Sequence, residues 1–203
     1  MRIEAQEQPL VLDHPKKHAI ESPPPLHRQP QPATATIRAA PLGSPLERLS
    51  FYTAVEQLYD VASWEEIGRY VGRALLNYFQ RVLILSVRER HVACVAAGAL
   101  SPSRIMVALE AIPEIASQLG RREIHYGPAA NDPRASEIAV VFGFEDAATS
   151  LIAPIDSGGG IRMLVYADNG GKSELYDDLH DIELLFKEAE TSLRMLESRQ
   201  PVS

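Results

Sequence analysis

Two pairs of short apolar segments restrict the fold of this chain more than any other feature. Residues 81–87, rich in β-branched side chains, and residues 91–97 are separated by the charged turn 88–90. Residues 149–155 and 161–167 repeat this arrangement around a turn with three consecutive glycines. Apolar segments of this length joined by short turns are typical of β-hairpins. The sequence therefore predicts an antiparallel sheet, with further short strands over 105–109 and 123–126.

Helices are predicted on both sides of this set of strands. Two capping boxes, at 44–47 and 63–66, each place a serine at the N-cap and a glutamate three residues later. Helices that precede and follow a sheet can cover one of its faces together. The predicted fold class is therefore α+β, an antiparallel sheet with the N- and C-terminal helices packed on one face. The predicted helices span 44–61, 63–79, 113–119, 136–142 and 174–198.

The first 43 residues differ in composition from the rest of the chain. They contain eight of its 15 prolines, among glutamine, histidine, alanine and threonine. Such a segment has too little apolar surface to offset the entropy that it would lose on ordering. We therefore expect a disordered proline-rich tail over 1–43 and one domain over 44–199. The tail could be a spacer, or it could dock on a protein partner through Leu10-Val11-Leu12.

Composition argues against several classes of function. The formal net charge of −7 is unlike the basic surface that binds nucleic acid. No apolar segment has the length of a membrane span, so we expect no membrane contact and a cytoplasmic location. The single cysteine, Cys94, excludes an internal disulfide and a cysteine-based zinc site. We predict no metal site, because no two histidines of the domain have helical or tight-turn spacing. We predict no catalytic residue, because no nucleophile with a matching base can be identified.

The second hairpin and the closing helix resemble those of GAF domains. The similarity lies in the strand that ends in Pro154-Ile155, in the glycine-rich turn, and in the strand that ends in Tyr166-Ala167-Asp168-Asn169. The resemblance implies a non-enzymatic regulatory or sensor module of bacterial signalling, which couples a small ligand or a partner protein to its terminal helices. The alternative is a degenerate GAF scaffold that dimerises and docks proteins without a ligand.

The resemblance also implies where a ligand would bind. If the terminal helices cover one face of the sheet, a cavity is expected between the other face and residues 104–147. The candidate lining residues are Met106, Ile115, His125 and Tyr126. Because residues 100–147 depart from the usual GAF pattern, the ligand or cofactor remains unknown.

Two known functions of GAF domains do not fit this sequence. One is the binding of cyclic nucleotides, because the signature that the family uses for it does not appear. Some GAF proteins reduce free methionine sulfoxide with several cysteines, an activity that one cysteine cannot support. Five charged residues of the loop and short helix that would cover a GAF pocket are expected in solvent; they are Asp132, Arg134, Glu137, Glu145 and Asp146.

The closing helix carries apolar residues at alternating spacings of four and three. This spacing predicts a coiled-coil seam and a homodimer, although a wide apolar stripe that covers the sheet of a monomer looks the same. The seam consists of Leu175, Leu179, Ile182, Phe186, Ala189, Leu193 and Leu196, and its predicted interface residues are Leu179, Ile182, Phe186, Leu193 and Leu196.

Deletion of residues 1–40 tests the predicted domain boundary. The melting temperature should remain almost unchanged, because a proline-rich polar segment buries little apolar area. Differential scanning calorimetry of the full chain and the truncated chain measures this. A loss of more than about 1 kcal/mol would show that the tail packs on the domain.

Overall fold

A six-stranded antiparallel sheet forms the centre of the domain, with strand order β3-β2-β1-β6-β5-β4. The computed structural model describes residues 46–99, 102, 106–119, 122–143, 147–173, 176 and 179–199. The proposed tail over 1–43 lies outside the described residues. The strands are β1 (Arg81–Val87), β2 (His91–Gly98), β3 (Met106–Ala108), β4 (His125–Pro128), β5 (Thr149–Asp156) and β6 (Ile161–Asp168).

In the described part of the chain, five α-helices accompany this sheet. Within the described ranges, none of them has both the length and the apolar character that a bilayer span requires. The helices are α1 (Phe51–Leu58), α2 (Trp64–Leu75), α3 (Pro113–Gln118), α4 (Pro133–Phe142) and α5 (His180–Arg199).

Both predicted hairpins are confirmed. Val87 pairs with Val92 across the first turn, and Asp156 pairs with Ile161 across the second. The two hairpins meet at the centre of the sheet, where β1 pairs antiparallel with β6. In the second turn, Gly158 has a φ of 97° and Gly160 a φ of 139°, which favours glycine at both positions.

The terminal helices cover one face of the sheet, so the predicted fold class is confirmed. We call this the helical face. It buries the side of the sheet that carries Leu151, Val165 and Ala167 against α1, α2 and α5. The opposite face, which we call the distal face, buries Leu83, Ile152 and Leu164 together with residues of α3 and α4. The sheet thus separates two apolar cores.

The first helix begins later than its capping box predicts. Residues 46–50 are not helical, and α1 has Ser50 at its N-cap, where the Ser50 hydroxyl accepts the Thr53 N–H at 3.2 Å. The backbone N–H of Leu46 donates instead to the Ala97 carbonyl at 3.2 Å, and its side chain is buried. Contact with the sheet therefore overrides the local helix signal in this segment.

The second capping box is confirmed at the start of α2. The Ser63 hydroxyl accepts the Glu66 N–H at 3.2 Å. The Glu66 carboxylate accepts the N–H of Ala62, at 2.7 Å, rather than that of Ser63. Both contacts satisfy backbone donors near the helix N-terminus that would otherwise lack partners.

The closing helix also begins later than predicted, at His180 rather than at 174. Tyr176 is not helical, because its backbone N–H donates to the Tyr126 hydroxyl at 2.5 Å and its own hydroxyl donates to the Tyr78 carbonyl. These long-range contacts fix Tyr176 in a nonhelical position before α5.

Two glycines let α2 approach the sheet closely. A Cβ at Gly68 would lie 2.7 Å from Ile84 Cγ2, and a Cβ at Gly72 would lie 2.6 Å from Leu46 Cδ1. Real Cβ atoms do not approach other atoms so closely, so an alanine requires its neighbour to move. Ile84 is held in a central strand and its Cγ2 is fixed to a branched Cβ, whereas Leu46 Cδ1 is the end of a rotatable side chain.

Alanine at these two positions should have different effects on stability. Either substitution gains about 1 kcal/mol of helix propensity. We expect Gly68→Ala to lose about 1–3 kcal/mol to overpacking against Ile84, so that it unfolds more easily than Gly72→Ala. Urea unfolding of both variants measures the difference. If Gly68→Ala were as stable as Gly72→Ala, the contact of Gly68 with Ile84 would not be the tighter of the two.

Candidate functional site

The distal face is where the ligand cavity is expected. Its core is formed by large apolar side chains that are almost wholly removed from solvent. They come from the sheet and from the segment between β3 and β5, and they include Leu83, Leu85, Ile112, Ile115, Ile138, Phe142, Ile152, Leu164 and Tyr166. Much of the space between the sheet and α3 and α4 is therefore occupied by the protein's own side chains.

The four predicted lining residues do not share one face. Ile115 of α3 is 1% exposed and belongs to the distal core. His125 pairs with the distal residue Ile152, so its side chain also lies on this face. Met106 precedes the distal residue Val107 on β3 and therefore points to the other side. Contact of any of these residues with a ligand remains a prediction.

Tyr126 lies on the helical face. Its ring centroid is 6.1 Å from that of Phe79, in an edge-to-face arrangement, and its hydroxyl accepts the Tyr176 N–H. Tyr126 thus helps to fix the start of α5. The structure brings Ile115 and His125 to the distal face and leaves Tyr126 and Met106 elsewhere.

A buried carboxylate lies beside His125. Asp132 is the N-cap of α4, and its Oδ1 accepts the Arg134 backbone N–H at 2.9 Å. The Arg134 guanidinium also holds both carboxylate oxygens, at distances from 2.5 to 3.0 Å. His125 Nδ1 is 3.6 Å from Asp132 Oδ2. Burial favours the neutral acid, but the hydrogen bonds and the positive charge of Arg134 lower the pKa of Asp132 below its usual value.

Asp132 is one of the five charged residues that were expected in solvent. This expectation is wrong for Asp132, which is only 4% exposed. Glu137 also has a structural role, because its carboxylate accepts the backbone N–H groups of Glu114 and Ile115 at the start of α3, at 3.2 and 2.8 Å. Glu145 and Asp146 lie outside the described residues. The interaction partners of Asp132 and Glu137 come from the fold, and charge pattern alone did not reveal them.

A row of polar residues crosses the sheet at one end of the distal face. Ser150 is the cross-strand partner of both Gly127 on β4 and Asp168 on β6, and Asp168 in turn pairs with Arg81 on β1. We call Gly127, Ser150, Asp168 and Arg81 the polar row. Ser150 and Asp168 are fully buried. Asp168 Oδ1 accepts from Arg81 Nε at 2.5 Å and from the Gly170 N–H at 2.7 Å.

The sequence alone did not reveal this row as a site. Ser150 and Asp168 stand there only within the two strands of the hairpin that resembles the hairpin of GAF domains. The strand assignments contained a signal, since alternation along β5 and β6 places both residues on the same face as Ile152 and Tyr166. The pairing register was needed to make Ser150 and Asp168 neighbours.

The cysteine is not a reactive thiol. Cys94 is 5% exposed on β2, and its Sγ lies 3.5 Å from the Ala96 carbonyl oxygen. Burial raises the pKa of the thiol to about 12. The thiol is therefore protonated at neutral pH, and the thiolate required for nucleophilic or redox chemistry is scarce. Among the described residues, no three His, Cys, Asp or Glu side chains are grouped to hold a metal ion.

Two adjoining grooves open at the opposite end of the sheet, near the hairpin turns. Their volumes are about 220 and 710 Å³, and both are lined by Val87, Arg88 and Arg162. The Arg88 guanidinium lies 4.7 Å from the centroid of the Trp64 ring, and Arg162 forms an ion pair with Glu197 at 3.0 Å. None of the predicted ligand residues lines either groove.

The predicted dimer seam is used within one chain. Ile182, Phe186 and Leu193 are at most 3% exposed and pack in the core of the helical face. Leu179 and Leu196 are half-buried against the same core. A dimer through Ile182, Phe186 and Leu193 would require this core to open, whereas Leu179 and Leu196 keep part of their surface in solvent, and the homodimer itself remains a prediction. The alternating spacing of four and three thus fits the wide stripe that covers a sheet.

Comparison with known proteins gives matches through structure alone. No protein-family model matches the sequence, and no curated protein matches it. The phycocyanobilin-bound GAF domain of a cyanobacterial phytochrome superposes with a TM-score of 0.58 at 11% identity, over 76% of this chain and 99% of that domain.

Two further solved structures are similar. The GAF domain of the Acinetobacter phosphoenolpyruvate-protein phosphotransferase has a TM-score of 0.54 at 13% identity, over 75% of this chain and 95% of that one. The free methionine-R-sulfoxide reductase of Neisseria meningitidis, in complex with its substrate, has a TM-score of 0.57 at 11% identity, over 74% and 89%. At this level of identity the likeness establishes architecture. The chain therefore has a GAF-like α+β fold.

Proposed function

We propose that this chain is a non-enzymatic regulatory module, a sensor that transmits an event on the distal face of its sheet to its terminal helices. GAF domains of signalling proteins, such as the phytochrome domain with its bound bilin, share its fold and support this assignment. The observation that carries the proposal is that the same two strands, β5 and β6, form part of both cores.

The geometry of β5 and β6 explains how the two faces would be coupled. Ile152 and Leu164 point into the distal core, while their neighbours Leu151 and Val165 point into the core beneath α5. Both strands are close-packed on each side, and packed interiors transmit small displacements instead of absorbing them. A ligand or partner that moves the distal side of these strands would therefore change the surface on which α5 rests.

The chemistry of the described residues supports a non-enzymatic role. The fold neighbours include one enzyme, a free methionine-R-sulfoxide reductase. Sulfoxide reduction through thiols requires a nucleophilic thiolate and a second cysteine to form a disulfide. This chain has one cysteine, and its thiol is buried and protonated.

A ligand-free scaffold is the second candidate, and the filled distal core favours it. Phe142 and Ile138 of α4 and Ile112 are wholly buried there, in the region where the ligand cavity is expected. In that case the module would act through protein partners alone. The two candidates differ in whether a small molecule stabilises the isolated protein.

We also propose that the module forms a homodimer through the outer surface of its terminal helices. Tyr52 of α1, Tyr59 at the C-cap of α1 and Met195 of α5 are 80%, 53% and 39% exposed. Large apolar side chains that remain in solvent on adjacent helices are common at interfaces between copies of a chain. Sedimentation velocity at micromolar concentration tests this, and a monomer there would refute the dimer.

Coupling across the sheet can be tested before any ligand is known. Ile138→Val removes one methylene from the distal core, and the matched control is Val140→Ala on the same helix, where Val140 is 77% exposed. We expect Ile138→Val to cost about 0.5–1.5 kcal/mol and to shift the amide NMR signals of α5, with no such shift in the control. If the α5 signals do not move in Ile138→Val, the two faces are not coupled.

Ligand screening separates the sensor from the scaffold. Purified protein is examined by native mass spectrometry and by thermal shift with nucleotides, haem and amino acids. A ligand at 100 times its Kd should stabilise the fold by about 2.7 kcal/mol, which is readily detected. Stabilisation that is accompanied by changes in α5 supports the sensor. The absence of any stabilising small molecule, together with a partner that binds tightly, supports the scaffold.

A further inference from the structure

Three buried polar atoms of the distal face lack a hydrogen-bond partner among the residues that the structure describes. They are His125 Nε2, Ser150 Oγ and Asp168 Oδ2. His125 lies two residues before Gly127 on β4, and Ser150 is paired with both Gly127 and Asp168. Since adjacent strands are about 4.8 Å apart and alternate residues share a face, the three side chains lie on one side of the sheet, with Ser150 on the strand between the other two.

Unsatisfied polar atoms are uncommon in protein interiors. Buried donors and acceptors are normally paired, because an unmade hydrogen bond leaves the full cost of desolvation. Here three such atoms occur together at one end of an otherwise apolar core. This arrangement resembles small-molecule sites, which are mostly apolar with a few convergent polar groups.

Space for a ligand atom lies above Gly127. A Cβ built on this buried glycine would find no heavy atom closer than His125 Cε1, at 3.9 Å, and His125 Nε2, at 4.0 Å. A methyl group would therefore fit at this position in ordinary contact with the imidazole. Glycine leaves that volume free directly between His125 and Ser150.

The three atoms define the kind of group that they can bind. His125 Nδ1 faces the Asp132 carboxylate, so the neutral imidazole carries its proton on Nδ1 and offers Nε2 as an acceptor. Asp168 Oδ2 is an acceptor, and the Ser150 hydroxyl can both donate and accept. The site therefore offers two acceptors and one hydroxyl.

Charge balance selects an uncharged ligand. Asp168 is paired with Arg81, and Asp132 is paired with Arg134. Both buried carboxylates are thus already neutralised, so an ammonium or a carboxylate would bring an uncompensated charge into the interior, at a high desolvation cost.

We propose that His125, Ser150 and Asp168, around the open space at Gly127, bind a small uncharged ligand through a carboxamide-like group. Its two N–H donors match the two acceptors, and its carbonyl accepts from the Ser150 hydroxyl. This inference rests on the proposed sensor function, because it names the class of ligand that the distal face would take.

The test is an NMR titration of the full chain with three probes of similar shape, acetamide, acetate and ethylamine. We expect saturable shifts at His125 and at the amides of residues 127 and 150 with acetamide alone. Ser150→Ala should weaken acetamide binding about tenfold, which corresponds to one lost hydrogen bond. Gly127→Ala should abolish binding while the protein remains folded, because its methyl occupies the ligand space.

Ser157→Ala is the matched control. Ser157 is also a buried serine whose hydroxyl has no partner among the described residues, but it lies at the opposite end of β5, in the glycine-rich turn. Its substitution should leave acetamide binding unchanged. Equal binding of acetate or ethylamine would overturn the proposal, as would the absence of any saturable shift, which is the result expected if the site holds buried water only.

The titration also separates this inference from the proposed function. If acetamide binds at Gly127 and the α5 signals stay fixed, the ligand class stands and the coupling fails. If another ligand shifts α5 and binds equally well to Ser150→Ala and Gly127→Ala, the coupling stands and the proposed site is wrong.

Discussion

The burial of the central strands on both faces is the constraint on which the rest of this structure depends. Every residue of β5 is buried, and so are most residues of β1 and β6. A sheet with two apolar faces is stable in water only if each face is covered. The terminal helices cover one face, and the segment between β3 and β5 covers the other. The same constraint makes one sheet the shared wall of two cores, which is what a coupled module requires.

The close approach of α2 to the sheet requires glycine, which has no side chain, at two positions of the helix. Gly68 and Gly72 lie one turn apart on the helix and face Ile84 and Leu46. Glycine in a helix interior costs about 1 kcal/mol relative to alanine, so its presence twice in twelve residues opposes local preference. Tertiary contact explains this choice, because the helix would otherwise stand further from the sheet and leave Ile84 poorly packed.

The sequence predicted correctly those elements whose structure depends on residues close together in the chain. The hairpins follow from apolar segments joined by short turns, and the start of α2 follows from the contacts of Ser63 and Glu66. The early helix start predicted near Ser44 failed because Leu46 donates its N–H to the sheet instead. The apolar spacing of α5 fits either a coiled-coil seam or a stripe that covers a sheet, and only the fold shows that Phe186 and Leu193 pack against the sheet of their own chain.

The candidate site was less predictable because it depends on register. Alternation along β4 could have assigned His125 and Tyr126 to opposite faces, since consecutive residues of a strand cannot line one pocket. No local pattern could show that Ser150 would lie between Gly127 and Asp168, because that requires the pairing of three strands that are distant in sequence. Composition could not reveal the role of Asp132 either, because a buried aspartate and a solvated aspartate are the same residue in the sequence.

Electrostatic neutrality is a property that the distal face acquires only in the folded chain. Among the described residues, the three buried carboxylates each have a guanidinium partner: Arg81 for Asp168, Arg134 for Asp132 and Arg122 for Asp156. Removal of one partner from a buried pair typically costs 3–5 kcal/mol, because the remaining charge is then uncompensated. A charged ligand would create the same imbalance as such a substitution. The pairs that stabilise the fold therefore also limit what the distal face can bind, so that selectivity in this module would come from shape and hydrogen bonding rather than from charge.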